Sequence, residues 1–180
     1  MLKRTVVLCL MFAVSATVFA QSFSFFPFDD KGNGGSSEIK MDSTMETIQG
    51  KEYPVSTITG KVTTKYQYGF IGVAVKPDPK MLELLKSAKG IKFKVIGDGR
   101  KYRVKVETSD ITDFDHYGKE FATKKGEPVE ITIPYSALVQ EGWGAKKKFN
   151  LASILQLGFQ TIGQPIPSVS LKIFDIQPIN

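Results

Sequence analysis

The sequence predicts an all-β sandwich of the jelly-roll type. From Ile39 onward, short segments alternate apolar with polar residues, and turn-forming residues recur roughly every 8–15 positions. Only one stretch carries a helical period. A single cysteine, Cys9, leaves no cross-linking for the fold to rest on.

The first 20 residues read as a cleavable export signal. Lys3 and Arg4 form a basic start, Val6 to Val14 an apolar stretch, and Val18-Phe19-Ala20 a cleavage site that makes Gln21 the expected mature terminus. The apolar run is too short for a membrane span, so no transmembrane anchor is expected after cleavage. Leu8 before Cys9 speaks against a lipoprotein signal. The expected location is periplasmic or extracellular. Loss of Lys3 and Arg4 lowers the formal charge of +6 by two, leaving a mildly basic chain without the clustered charge of a nucleic-acid binder.

Residues 21–38 are expected to form a flexible leader. Pro27 interrupts four phenylalanines, and a run from Asp29 to Ser37 rich in Gly, Asn and Ser follows. The sandwich domain is then expected over 39–180. Strands are predicted at 55–63, 68–75, 129–133, 154–160 and 168–176. Pro134 closes the third of these at a sheet edge. A short helix is predicted near 79–89, with Asp78 as cap, Pro79 at the first helical position, and Met81, Leu84, Leu85 and Ala88 at helical spacing.

The pattern from Ile91 to Glu107 predicts a hairpin turning at Asp98-Gly99, a dipeptide suited to positive φ. With a two-residue loop, Val95 meets Tyr102, Phe93 meets Val104 and Ile91 meets Val106. The same register sets Lys94 against Arg103 and Lys92 against Lys105, costing about a few tenths of a kcal/mol per pair. Solvent and carboxylates such as Glu107 and Glu130 can offset that cost, and so can an anionic or polyhydroxylated ligand.

Several motifs together resemble a known family. They are Gly69-Phe70, Gly97-Asp98-Gly99-Arg100 with Tyr102, Ile133-Pro134-Tyr135, Ile154 with Leu157-Gly158-Phe159, and Leu171 to Ile176. Over roughly residues 39–177 the chain resembles the NADH:ubiquinone oxidoreductase intermediate-associated protein 30 domain. The resemblance implies a galactose-binding-like jelly roll related to noncatalytic carbohydrate-binding modules. It also implies an opening aspartate, a Met-Gly-Gly-like turn and a serine, of which Asp42-Ser43-Thr44-Met45 is a loose echo. An Asp-Asp pair is usual in the last strand, where this chain has Phe174-Asp175. Related modules hold a structural Ca²⁺ with a carboxylate there; one aspartate falls short of the several oxygens Ca²⁺ requires, so no cofactor is expected.

Catalytic patterns are sparse. His116 is the only histidine and no cysteine remains in the mature chain, which excludes the usual zinc sets. No Gly-x-Ser-x-Gly elbow accompanies His116 with Asp113 or Asp115. Asp110, Asp113 and Asp115 lack the glycine and glutamate of an EF-hand and read as solvated turn residues. Lys146-Lys147-Lys148 reads as a solvated loop end, and Gly97-Asp98-Gly99 is no phosphate cradle. The chain is therefore read as non-enzymatic. Trp143, between Gly142 and Gly144, suits either a cap over the sandwich or a sugar-stacking platform. Tyr66 and Tyr117 are placed in loops or edges, Tyr102 in the core.

The expected function is an exported binding module for a glycan or acidic envelope component. Its polar face would carry Lys92, Lys94, Arg103, Lys105, Glu130, Gln156 and Gln160, with Trp143 and Tyr117 as ring candidates. The alternative is an envelope assembly or scaffold factor that binds another protein through the Phe23–Phe28 leader.

Overall fold

A computed structural model describes residues 22–65, 67–163 and 165–180. The export signal and Tyr66 lie outside the described residues. Two five-stranded antiparallel sheets face each other across one apolar core. The strands are β1 (Phe23–Asp29), β2 (Glu38–Ile48), β3 (Lys51–Val62), β4 (Ile71–Pro77), β5 (Gly90–Ile96), β6 (Lys101–Thr108), β7 (Tyr117–Ala122), β8 (Pro128–Pro134), β9 (Ile154–Thr161) and β10 (Ile166–Ile179). One sheet, here the A sheet, runs β1-β4-β9-β6-β7; the B sheet runs β2-β3-β10-β5-β8. The all-β sandwich expectation holds.

Helix α1 (Pro79–Ser87) forms as the sequence predicts. The Asp78 carboxylate accepts a hydrogen bond from the Met81 N–H at 2.7 Å, and Pro79 takes the first helical position. Leu85 and Ala88 are buried while Leu84 stays partly exposed. The Tyr135 hydroxyl donates to the Leu85 carbonyl at 3.1 Å and pins the helix to the chain after β8. The last strand-ending proline also behaves as expected, since β8 is an edge strand of the B sheet.

The expected β5–β6 hairpin does not form. β5 pairs with β10 and β8 in the B sheet, whereas β6 pairs with β9 and β7 in the A sheet. Gly97–Arg100 is a corner at which the chain changes sheets. The Asp98 carboxylate accepts from the Arg100 guanidinium at 2.9 Å and the Tyr102 hydroxyl at 3.0 Å. Gly97 packs so tightly on Thr123 that a Cβ there would lie 2.4 Å from its hydroxyl. Alternation puts the apolar sides of β5 and β6 on the core in either arrangement, which is why the pattern alone did not separate them. Across the core Phe93 of β5 meets Phe159 and Phe121 of the A sheet edge-on, at ring separations of 4.9 and 5.2 Å.

The tight hairpin lies elsewhere. β2 and β3 are joined by Gln49-Gly50, both at positive φ (50° and 78°), as a type I′ turn requires. Gln49 is a rarer choice than Asn or Asp there, which hid the turn.

Over the described residues 22–38 the expected leader is not a loose tether. Phe23 to Asp29 pair with β4 as the edge of the A sheet. The segment rich in Gly and Ser wraps around Asp30, which is fully buried. Its carboxylate accepts from the Ser37 N–H at 2.9 Å and the Ser37 hydroxyl at 2.6 Å. Gly35 lies against it so closely that a Cβ would stand 2.1 Å from the carboxylate carbon. Asp42 to Met45, the loose echo of the family's opening motif, lie within β2.

Replacing Asp30 with Ala should leave the Ser37 donors unpaired beneath the surface and cost about 2–3 kcal/mol. Urea unfolding of the variant checks this; a loss below about 0.5 kcal/mol would contradict the clamp.

Candidate functional site

The corner between β5 and β6 divides the expected ligand face in two. Lys92, Lys94 and Glu130 stand on the outer face of the B sheet; Arg103, Lys105, Gln156 and Gln160 stand on the outer face of the A sheet. The like-charge pairs expected from the hairpin do not exist. Instead, Lys94 lies beside Glu130 and Phe174, Lys92 beside Thr132 and Gln177, and Arg103 beside Glu120 and Gln160.

The B-sheet side is largely filled by its own residues. Tyr53, Val55 and Phe174 form a second small apolar cluster there, with Ile48 and Ile96 packed on it. Lys94 Nζ lies 2.9 Å from the Asp175 carboxylate and donates to the Tyr53 hydroxyl at 3.2 Å. Those bonds raise the Lys94 pKa. On Asp175, burial pushes the pKa up, but the bonds from Lys94 and Gln177 prevail and hold it below the usual carboxylate range. Lys172 pairs with Glu46. Asp175, the position where a calcium ligand would sit, is thus engaged by an ammonium and an amide, a poor fit for a cation. No group of three or more metal-ligating side chains occurs among the described residues.

The A-sheet side differs. Register sets its outward residues in rows across the strands. One row runs Phe26, Ala74, Gly158, Lys105, Gly118, and a flanking row runs Phe28, Gly72, Gln160, Arg103, Glu120. Ala74 and Gly158 put almost no side chain on the sheet, which lowers the surface into a shallow trough; Gly158 itself is buried, with a Glu107 carboxylate oxygen 3.3 Å from where a Cβ would stand. Phe26, which is 52% exposed, stands at one end. The Phe28 ring lies over Gly72, where a Cβ would come within 2.4 Å of it. Phe70 packs on Phe28 at 6.0 Å. Lys105 closes the other end, three strands or about 14 Å away. The rings at the first end come from β1, so reading residues 21–38 as a tether removed them from view.

Polar groups line the Lys105 end. Gln156 donates to the Glu107 carboxylate at 2.7 Å. Arg103 donates to the Val139 carbonyl at 2.9 Å, and Glu141 Oε1 sits 3.1 Å from Arg103 Nε at ion-pair distance without hydrogen-bond alignment. Glu141 also accepts from the indole N–H of Trp143 at 3.1 Å. Trp143 is exposed rather than folded over the sandwich as a cap. Tyr117 is not a face residue: it points into the core, and its ring meets Phe149 edge-on at 4.9 Å.

The aspartates expected to be solvated turn residues build this rim. Buried Asp115 accepts from three backbone N–H groups, those of Glu141, Gly142 and Gly144, at 2.8, 3.0 and 3.1 Å. Asp113 accepts from the Ala145 N–H at 2.6 Å, and these backbone bonds lower its pKa. Phe114 is held between them at φ 66° with its ring exposed. A rim carrying Phe114 and Trp143 is thereby fixed to the start of β7.

His116 lies under this rim, its Nε2 4.0 Å from the Glu107 carboxylate. Burial lowers its pKa below 6.5, aided by Lys105 and opposed by Glu107, Asp113 and Asp115. It does not form a catalytic triad with the aspartates, whose oxygens are taken by backbone N–H groups.

The fold is a β-sandwich similar to that of carbohydrate-binding modules. The family 11 module from Clostridium thermocellum in complex with a β-1,3-1,4-mixed-linked tetrasaccharide superimposes with a TM-score of 0.59, at 12% identity over 93% of this chain and 94% of that one. A family 11 module of a cellulosomal cellulase from the same organism gives 0.53, at 10% identity over 89% and 91%. An exo-β-agarase gives 0.51, at 9% identity over 90% of this chain and 24% of the agarase. The sequence itself, over residues 19–173, matches the model of the Complex I intermediate-associated protein 30 (CIA30) family, and the chain belongs to that family. A search of curated proteins finds no match.

The lowered His116 pKa sets a pH dependence. The unfolded chain takes up a proton near pH 6.5 that the folded chain refuses until lower pH, so stability falls as pH drops below 6.5. His116→Gln should flatten thermal midpoints in that window, above the range near 3.8 where carboxylates titrate. An unchanged slope would exclude His116 as its source.

Proposed function

We propose that this protein is a non-catalytic glycan-binding module and that the trough on the outer face of the A sheet is its site. The observation that carries this is the contrast between the two outer faces. On the B-sheet face Lys94 and Lys172 pair with carboxylates of the same face, and Tyr53 and Phe174 pack on each other. The A-sheet face offers a low floor at Ala74 and Gly158 between an exposed ring and several polar side chains.

Each part suits a sugar. Phe26 offers a ring face to the C–H side of a pyranose. The amides of Gln156 and Gln160 each carry donor and acceptor groups for vicinal hydroxyls. The distance from Phe26 to Lys105 accommodates a short oligosaccharide lying across the strands. Phe114 and Trp143 extend the ring surface past Lys105. The mixed-linkage glucan held by the family 11 module supports this class of ligand through fold likeness, which by itself carries no function. The reading includes export, supported by the basic start, the short apolar stretch and Val18-Phe19-Ala20. In the assembly-factor alternative the contact narrows to Phe26 and the half-buried Phe28, because Phe23 and Phe25 face the core from β1.

A glycan array followed by titration calorimetry tests the site. Phe26→Ala and Gln160→Ala should each raise Kd about five- to tenfold, the size of one lost contact worth about 1 kcal/mol. Ala74→Leu, at a half-exposed outward position, should fill the floor and abolish binding while the protein stays folded. Binding that survives all three changes would move the site off this face. For export, fractionation with N-terminal sequencing should find the mature protein outside the cytoplasm beginning at Gln21; retention in the cytoplasm with Met1 intact would refute it.

A further inference from the structure

Lys105 stands out among the cations of the A-sheet face. It is half-buried at the end of the trough, yet its ammonium has no hydrogen bond or ion pair among the described residues. The carboxylates around it hold other hydrogen-bond or ion-pair partners and stand beyond ion-pair distance of its ammonium. Glu107 is held by Gln156, Glu141 by Arg103 and Trp143, and Asp115 by three backbone N–H groups. Arg103 and His116 add no negative charge. Burial lowers the Lys105 pKa, with Arg103 acting in the same direction; Glu141, Glu107 and Asp115 oppose it only at a distance.

A lysine withdrawn from water without a counterion costs folding free energy, and such groups are normally paired. Here the position directly beside it on the sheet is Gly158, where a built Cβ would stand 3.3 Å from a Glu107 carboxylate oxygen and 3.7 Å from the Lys105 Cβ. The strand next to Lys105 therefore contributes no side chain of its own at this position, and Glu107 borders it.

We infer that the trough takes an anionic glycan, with Lys105 receiving a carboxylate or sulfate carried on the sugar. The inference rests on the glycan reading above and adds the charge of the ligand. An incoming anion supplies the counterion that the fold withholds, in a partly desolvated place where the attraction is stronger than in water. Lys76 of β4 lies outward on the same face and appears in no ion pair among the described residues, so it extends the favourable field along the trough.

The experiment compares three probes by titration calorimetry at neutral pH: tetragalacturonate, a sulfated carrageenan tetrasaccharide and cellotetraose. At least one anionic probe should bind about tenfold or more tightly than cellotetraose, and the preference should shrink as salt rises. The uronate and sulfate arms tell which anion is read. Lys105→Met should erase the preference to within about twofold and raise the thermal midpoint of the free protein by about 2–4 °C. Equal affinity for charged and neutral probes in the wild type overturns the inference and leaves the glycan reading standing. So does a preference that persists in the Met variant, or a midpoint that falls. If no glycan of either kind binds, the glycan reading itself fails.

Discussion

The arrangement of every functional group in this protein depends on one corner. At Gly97–Arg100 the chain leaves the B sheet and enters the A sheet, held there by the Asp98 carboxylate and by close packing of Gly97 on Thr123. Because of that crossing, Phe93 meets Phe159 and Phe121 from the opposite side of the core, instead of meeting Val104 along a shared sheet edge. The aromatic contact between the sheets joins strands far apart in sequence. It also sends the lysines of β5 and the basic residues of β6 to opposite surfaces of the sandwich.

The two surfaces then acquire different physics. On the B-sheet side, the long β2–β3 hairpin, the last strand and β5 bring Tyr53, Val55 and Phe174 together as a small outer cluster, with Lys94–Asp175 and Lys172–Glu46 close by. Lys94 and Lys172 there meet their opposites within the chain. On the A-sheet side, small residues at Ala74 and Gly158 lower the surface, and Lys105 has no ion pair among the described residues. The rim that borders it is no loose loop: two aspartates tie the Trp143 segment to the start of β7 through backbone hydrogen bonds. Polar bonds of this kind preserve a loop shape that apolar packing could not hold at the surface.

Membership of the CIA30 family and likeness to carbohydrate-binding modules fit this picture at the level of fold. The family match begins at residue 19, ahead of the stretch where alternation becomes obvious, because the edge strand β1 and the loop around Asp30 belong to the sandwich. That loop shows how a glycine- and serine-rich segment can be rigid. A buried carboxylate supplies acceptors for Ser37, and Gly35 allows the backbone to close upon it.

Much of the fold was legible in the chain. Alternation identified most strands and their inward faces, Asp78-Pro79 marked the helix start, and Pro134 marked a sheet edge. These features are local: a period of two or a cap is decided by residues a few positions apart. The candidate site was legible only in fragments. Arg103, Lys105, Gln156 and Gln160 share a face, whereas Lys92, Lys94 and Glu130 do not join them and Tyr117 is buried. Phe26 and the Asp115 clamp escaped notice because a phenylalanine run broken by proline, and an aspartate between loop residues, carry no local sign of their partners. What the sequence by itself determined is which side of each strand turns toward the core. Which strands lie side by side was settled by contacts between residues far apart along the chain, and that choice alone decides which charges end up facing one another.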